Sequence, residues 1–429
     1  MSAWGNILRA APRYLQFTRS QYWPRPRIEE YQRRRLGQTL SAAARLSFYR
    51  ERMGANPRHE DLATMPTMSR ADAVVLLRSV LAEHPADFRC PRATSSGTSG
   101  PRAEYLFDRS HQCGRYAARA RYLRANGWNP IQRSIWLAGG GFIHAREQNH
   151  EPDYEDPQFI SRALPGVRFI VNSNDLAALA VEVAEIDPLF IYGYPSVVDG
   201  LLRNLRAANL RLPALRRIFT GAEVVEDWLR ERARNDFGVE ISANYGSTEA
   251  FLAWQCPAGN YHQNAEHVMV ELVDEAGRAV PPGQMGRVLL TTLENYLMPL
   301  VRYDIGDYAI AASGACACGR TLPLLGRIVG RGMNLFRSAD GKLLTTWDLV
   351  NVLIETPEVE TFQIIQKKVD QVLIKYTANQ PLTSAIQNNI RAGFIPYLGR
   401  AVTIDFERVS EIPRMPSGKF MVTLSELAP

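Results

Sequence analysis

The chain has 429 residues, and none of its stretches approaches the ~20 uninterrupted apolar residues that a membrane-spanning helix needs. Its N-terminus also lacks a secretory apolar core followed by small residues. Neither a span nor a leader is therefore expected, and the cytoplasm is the expected location. No internal repeat or low-complexity tract is present, so repeat architectures are not expected. Lysine is missing from residues 1–50, which carry ten arginines against only Glu29 and Glu30. That segment is +8 where the whole chain is +6, leaving about −2 for the rest. An arginine-rich, acid-poor start also resembles an organellar transit peptide. Residues 28–50, however, have amphipathic helical spacing running into Ser47-Phe48-Tyr49-Arg50, so the segment reads as a mature basic helical arm over 1–53. A solvated face, or docking of an acidic partner or anionic surface, would each account for its charge. No recognition motif accompanies the arginines, so nucleic-acid binding is not expected.

What is present suits a globular protein of two or three domains: 46% of residues are apolar, enough for a sizeable core. From residue 134 short apolar runs alternate with amphipathic stretches, the pattern of a parallel sheet covered by helices. Strands are predicted at 134–137, 189–192, 217–219 and 239–242, with helices at 175–186, 196–208 (Ser196 as cap) and 227–237. Two strands run into small polar turns, Thr220-Gly221-Ala222-Glu223 and Tyr245-Gly246-Ser247-Thr248-Glu249, where α/β folds bind ligands. After residue 265 the character becomes β-rich, as at 268–273 and 287–292. A final unit of about 100 residues mixes a strand pair with a helix near 383–393 and a closing loop at 411–419. The predicted class is α/β: a large N-terminal domain over 1–330, with a β-rich part near 255–330, and a small mobile α+β lid over 331–429.

Three clusters carry chemistry. Residues 94–100, Thr-Ser-Ser-Gly-Thr-Ser-Gly, offer backbone N–H groups and short hydroxyl donors able to wrap phosphate, with glycine permitting close approach. The loop lacks the Gly-Lys-Ser/Thr ending of a Walker A motif, and a flexible linker has similar composition. A Pro-rich loop at 413–419 ends in Ser417-Gly418-Lys419 and can present a cation. Cys256 and His262, with Cys316-Ala317-Cys318 beyond a β-rich insertion, make a Cys₃His set suited to structural Zn²⁺. Scattered apolar cysteines are the competing reading. Cys90 and Cys113 are left as free thiols.

In order along the chain, Leu46-Ser47-Phe48-Tyr49-Arg50, Ser95-Ser96-Gly97-Thr98-Ser99-Gly100, Tyr194-Pro195-Ser196, Gly221-Ala222-Glu223, Tyr245-Gly246-Ser247-Thr248-Glu249, Arg302-Tyr303-Asp304-Ile305-Gly306-Asp307, Gly330-Arg331 and Pro413-Arg414-Met415-Pro416-Ser417-Gly418-Lys419 resemble the motifs of the adenylate-forming acyl/aryl-CoA synthetase superfamily, in its phenylacetate:CoA ligase branch. The resemblance spans most of the chain. It implies a carboxylate ligase in which ATP, Mg²⁺ and CoA take part. The 95–100 loop would hold the β- and γ-phosphates, Glu249 the Mg²⁺, and Thr248 the α-phosphate. Gly221, Ala222 and Glu223 would lie along adenine with Tyr245 stacking opposite, alongside Gly246 and Ser247. Asp307 would take the ribose hydroxyls, Arg331 the ribose or phosphate, and Lys419 the charge of the adenylation step. Many relatives also share the Cys, His, Cys-x-Cys arrangement, which adds to the zinc reading.

Trp136, Gly140, Phe142, His144, Tyr192, Tyr194 and Pro195 are the expected walls of an aromatic acyl slot, with His144 gating it or contacting the carboxylate. A hydroxy- or aminobenzoate is the expected acid. The chain departs from the family at 145–156 and has Gly332-Met333-Asn334 where relatives carry an Asp pair at the hinge. The basic arm makes an acidic acyl carrier protein an alternative acceptor to CoA. An amine acceptor, and a non-catalytic nucleotide sensor of the same fold, are further alternatives. A homodimer is the expected assembly.

Overall fold

Alternating β-branched runs and amphipathic stretches build a parallel sheet that continues into antiparallel strands. The computed structural model describes residues 3–54, 58–83, 90–94, 103–138, 166–171, 175–354, 356–412 and 421–427. The chain divides into two units, Met1–Ile328 and Val329–Pro429. The N-terminal arm comprises α1 (Ala3–Ser20), α2 (Arg25–Ala43) and α3 (Ser47–Met53), followed by α4 (Arg70–Glu83). The single helix predicted over 28–50 is thus two, parted at residues 44–46, and α1 forms despite Pro12.

A hairpin of β1 (Arg92–Thr94) and β2 (Glu104–Leu106) leads into α5 (Arg109–Ala125). Next come β3 (Ser134–Ala138), β4 (Val167–Val171), α6 (Leu176–Ile186), β5 (Phe190–Gly193), α7 (Pro195–Ala207), β6 (Arg217–Thr220), α8 (Asp227–Phe237) and β7 (Glu240–Gly246). The β-rich part contributes β8 (Phe251–Gln255), β9 (Tyr261–Gln263), β10 (Val268–Val273), β11 (Met285–Thr292), β12 (Tyr303–Ala311) and β13 (Leu324–Arg331). Among the described residues these form an eleven-stranded sheet, ordered β10-β11-β12-β13-β9-β8-β7-β6-β5-β3-β4. The run from β4 to β7 is parallel, and the direction reverses at the β7–β8 pair.

Strand alternation sorts the two faces. Ile191 and Ile218 pack with Val198, Leu201 and Leu202 under α6–α8. Phe190 and Phe219 face the opposite way, with Tyr122 of α5 and Trp254. Asp175 caps α6, accepting from the Ala177 and Ala178 amides at 3.1 and 2.9 Å, and Gly238 ends α8 at φ +67°. The predicted cap at Ser196 is corrected: α7 starts at Pro195, whose fixed φ suits the first helical position, with Tyr194 at the cap. Ser196 lies inside the first turn. Strand β7 also outruns its predicted end, because Asn244 and Tyr245 pair with Trp254 and Ala253 of β8.

The second unit contains β14 (Phe336–Arg337), β15 (Leu343–Leu344), α9 (Thr346–Ile354), β16 (Thr361–Lys368), β17 (Gln371–Thr377), α10 (Ser384–Leu398), β18 (Thr403–Arg408) and β19 (Thr423–Ser425). Its sheet runs β18-β17-β16-β19, over a core including Ile364, Val372, Ile374 and Phe394. The whole is a mixed α/β protein with a separate small α+β unit.

Candidate active site

The turns after β5, β6 and β7 lie side by side because these strands are parallel neighbours, and the predicted nucleotide residues occupy them. Glu223 is fixed in two directions: the Ser196 amide donates to its Oε2 at 2.9 Å and the Ser196 hydroxyl to its Oε1 at 3.0 Å. It thereby satisfies an amide at the start of α7 from another segment of chain. Ala222 stands at φ +69°, and a Cβ on Gly221 would fall 2.6 Å from the Asn244 amide nitrogen. Asn244 donates to the Thr220 carbonyl and to the Tyr192 hydroxyl, both at 2.9 Å. The turn at 221–223 is therefore locked to β7 and to β5.

Beyond β7, the Ser247 amide closes its turn on the Ala250 carbonyl at 2.9 Å. Helix α5 grips the turn from outside: Arg115 donates to the Thr248 carbonyl and His111 Nε2 to the Glu249 carbonyl, each at 2.9 Å. Glu249 is buried, not a solvated surface acid. Its carboxylate is close enough to Tyr105 and Tyr303 to push both phenols up, second in effect to their burial. Those two hydroxyls meet each other at 2.8 Å. Tyr105 belongs to β2, which pairs with β1 ending at Thr94, so the strand that follows the 95–102 segment passes beside Glu249. Tyr245 donates its hydroxyl to Asp307 Oδ2 at 3.0 Å, bringing two predicted nucleotide residues into contact across 62 positions. Arg302 of the same motif is buried, at φ +47°, and bonds Glu271 and the carbonyls of Ala63, Met65 and Gly277. It pins the scaffold.

Of the predicted acyl slot, Trp136 and Tyr192 lie 5.0 Å apart at 30°, and the Arg119 guanidinium sits 5.2 and 4.9 Å from their ring centres. Trp136 is buried in an aromatic cluster that also holds Trp128, Tyr192 and Tyr194 are half-buried, and Pro195 is buried as the first residue of α7. Ser95, Ser96, Gly97, Thr98, Ser99, Gly100, Gly140, Phe142, His144 and Lys419 lie outside the described residues. Arg331 belongs to the second unit. Tyr105, His111, Arg115, Arg119 and Tyr303 were not singled out from the sequence as site residues. The four-residue spacing of His111, Arg115 and Arg119 on one helix was the available signal.

The Cys₃His set read from the sequence is brought together in the β-rich part. Cys256, His262, Cys316 and Cys318 offer ligand atoms all within 4.8 Å of one another, with the Cys256 and Cys316 sulfurs 3.6 Å apart and Cys318 Sγ 3.3 Å from His262 Nε2. Tetrahedral Zn²⁺ with sulfur and nitrogen ligands has edges of roughly 3.5–3.8 Å, close to these two separations, and the four donors are of the type and number it takes. The Asn260 amide donates to the Cys316 sulfur at 3.3 Å.

Two family models match the chain: AMP-binding enzyme over residues 164–295, and CapK C-terminal domain over 336–426. A phenylacetate-coenzyme A ligase of Thermus thermophilus is 28% identical over 180 residues, which is 40% of this chain and only 40% of that relative. Among solved structures, a 2-hydroxyisobutyryl-CoA ligase in the postadenylation state is 18% identical, covering 95% of this chain and 92% of its own, with a TM-score of 0.74. An anthranilate CoA ligase in complex with anthranoyl-AMP is also 18% identical, covering 77% and 64%, with a TM-score of 0.58. At such identities the structural likeness speaks for the fold.

Proposed function

We propose that the chain is an AMP-forming acid–thiol ligase of the adenylate-forming superfamily, in its phenylacetate:CoA ligase-like branch, a reading supported by the AMP-binding match over residues 164–295 and by the partial phenylacetate-coenzyme A ligase relative. Supporting it are the buried Glu249 in the turn after β7, close to Tyr105 of β2 and Tyr303 of β12, and the Tyr245–Asp307 hydrogen bond. In the first half-reaction a carboxylate oxygen attacks the α-phosphorus of ATP and pyrophosphate leaves, giving an acyl-adenylate. In the second a thiolate attacks the acyl carbon, the C–S bond forms, and AMP departs. Both steps depend on managing phosphate charge.

Loop 95–100 takes the β- and γ-phosphates, Thr248 the α-phosphate, and Glu249 would hold Mg²⁺, which supplies charge neutralisation. Gly221, Ala222 and Glu223 border adenine, with Gly246 and Ser247 beside Tyr245. Asp307 receives the ribose, its Oδ2 already engaged by Tyr245. Arg331 and Lys419 come from the second unit, which acts as a mobile lid, and Lys419 serves adenylation. The acid is a benzoate or hydroxybenzoate, a reading supported by the Trp136–Tyr192 ring pair, with Gly140, Phe142 and His144 completing the slot. The acceptor is the phosphopantetheine thiol of CoA. The basic arm favours a second reading, an acidic acyl carrier protein, whose reaction would be salt-sensitive. The cytoplasm is the proposed location and a homodimer the proposed assembly. Zn²⁺ on Cys256, His262, Cys316 and Cys318 has a structural role.

Pyrophosphate exchange over a panel of aromatic acids, followed by CoA or holo carrier protein, tests this reading. Absence of exchange with every acid would leave the nucleotide-sensor reading instead. Lys419→Ala should lower adenylation by about 10²- to 10³-fold while sparing thioester formation from preformed adenylate. Equal loss of both half-reactions would remove Lys419 from that role.

A further inference from the structure

A buried chain of polar groups runs from the N-terminal arm to the Glu249 turn, and the adenylation chemistry leaves it unexplained. Glu294, just beyond β11, is fully buried, and its Oε1 is held by Arg13 of α1 at 2.9 Å and Arg35 of α2 at 3.3 Å. Its Oε2 lies 3.8 Å from His267 Nδ1. The His267 ring packs against that of His111, with centroids 4.4 Å apart, and the His111 ring is stacked on Phe107 at 4.8 Å. His111 Nε2 then reaches the Glu249 carbonyl.

Local structure ties these groups together. The Ser110 hydroxyl donates to the Glu294 carbonyl at 2.8 Å, and the Tyr296 and Leu297 amides donate to Asp108, so the segment after β11 is stitched to the start of α5. A Cβ on Gly114 would fall 2.5 Å from Glu294 Oε2 and 2.7 Å from His267 Nδ1. Only glycine lets α5 approach this closely. Because a carbonyl oxygen only accepts, His111 must carry its proton on Nε2. Burial, His267 and Arg115 hold its pKa well below the ordinary value, which keeps the ring a neutral single donor.

His111 and Arg115, one helical turn apart, thus fix two successive carbonyls of the turn. In a planar peptide, that also fixes the direction in which the Glu249 side chain leaves the chain. We propose that His111 is a positioning residue for Glu249, and that Arg13 and Arg35, through Glu294 and His267, make the N-terminal arm part of the adenylating apparatus. The inference rests on the reading of Glu249 as the Mg²⁺ ligand.

The test is the MgCl₂ dependence of pyrophosphate exchange in the full-length protein, using the best acid of the aromatic panel. His111→Leu, which removes the donor, should raise the half-saturating MgCl₂ concentration by about 10-fold or more, as loss of groups that orient a metal ligand does, with the KM for the acid unchanged. His111→Gln, which keeps an N–H donor, should return it to within about threefold. Arg13→Gln, at a partly exposed position and with Arg35 still pairing Glu294, should shift the requirement in the same direction. If Glu249→Gln raises the MgCl₂ requirement while His111→Leu and Arg13→Gln leave it unchanged, the positioning role is overturned and the Mg²⁺ reading survives. If His111→Leu does not fold, an unchanged requirement in Arg13→Gln overturns the coupling on its own. Should Glu249→Gln leave the requirement unchanged, the Mg²⁺ reading falls and the inference falls with it.

Discussion

At the scale of single residues, the centre of the protein is governed by buried groups that titrate in opposite senses. Burial, with help from Arg115, Arg13 and Arg121, lowers His267 to about 3. Burial raises Glu294 to about 7 against the pull of Arg13 and Arg35. A histidine lowered in the folded state supports folding fully above its unfolded pKa, and that support fades as pH falls from about 6.5 toward 3. Glu294, raised in the folded state, acts the other way: its burial is least unfavourable at low pH and costs stability as pH rises from about 4.5 through 7. Removing His267 should therefore expose the Glu294 trend. His267→Gln should gain about 2 kcal/mol relative to wild type between pH 8 and pH 5, read by urea unfolding at both pH values. A pH-independent difference would show that the imidazole does not titrate in this window.

At this scale the sequence supplied types more readily than partners. Tyr245 and Asp307 were singled out from their motifs, but their mutual bond was not foreseen. Tyr105 and Tyr303 meet across 198 positions, a pairing to which no local period points. Ser196 was legible as a polar residue at a helix start. Its partner Glu223 comes from the neighbouring β–α turn, so it was assigned the wrong place in α7.

At the scale of elements, periodicity worked where packing is one-sided. Helix α8 and strand β10 have the limits read from their patterns; α8 presents one apolar face, with Leu229 and Ala233, to a core, while β10 is buried at its two ends, Val268 and Val273. Helix α1 falls within the arm read as helical over 1–53, but its limits were not read, because Pro12 interrupts the pattern although Phe17 is completely buried. The corner between α1 and α2 is held by the cysteine-bearing loop: the Thr321 amide donates to the Gln21 carbonyl at 2.9 Å, and Arg320 Nε to the Gln21 side chain at 2.8 Å. With Zn²⁺ on the four ligands, metal removal should therefore be felt in the arm as well as in the loop. A strong chelator should lower the Tm by several degrees and open the α1–α2 corner to protease. Freshly purified protein containing no zinc would remove this expectation, as would cleavage unaffected by chelation.

At the scale of the whole molecule, the eleven-stranded sheet and the small unit each have their own core. The α/β class was legible in the alternation of elements. The continuity of one sheet through the direction change at β7–β8 was not, because it depends on pairing between distant strands. Binding to the folded state alone should make nucleotide a stabiliser of the chain: MgATP at 100 times its Kd should add about 2.7 kcal/mol, measured by denaturant titration. Asp307→Ala should remove most of that gain at the same nucleotide concentration. An equal gain in both proteins would place the nucleotide elsewhere.

The close approach of Gly221 to Asn244 extends beyond one geometry. A side chain at 221 has room only if 244 becomes smaller, and a smaller residue at 244 abandons the bonds to Thr220 and Tyr192. Through descent, then, the turn at 221–223 and the end of β5 at Tyr192 should drift together. A lineage that replaced Tyr192 would carry the mark of that change at 221 and 244 as well.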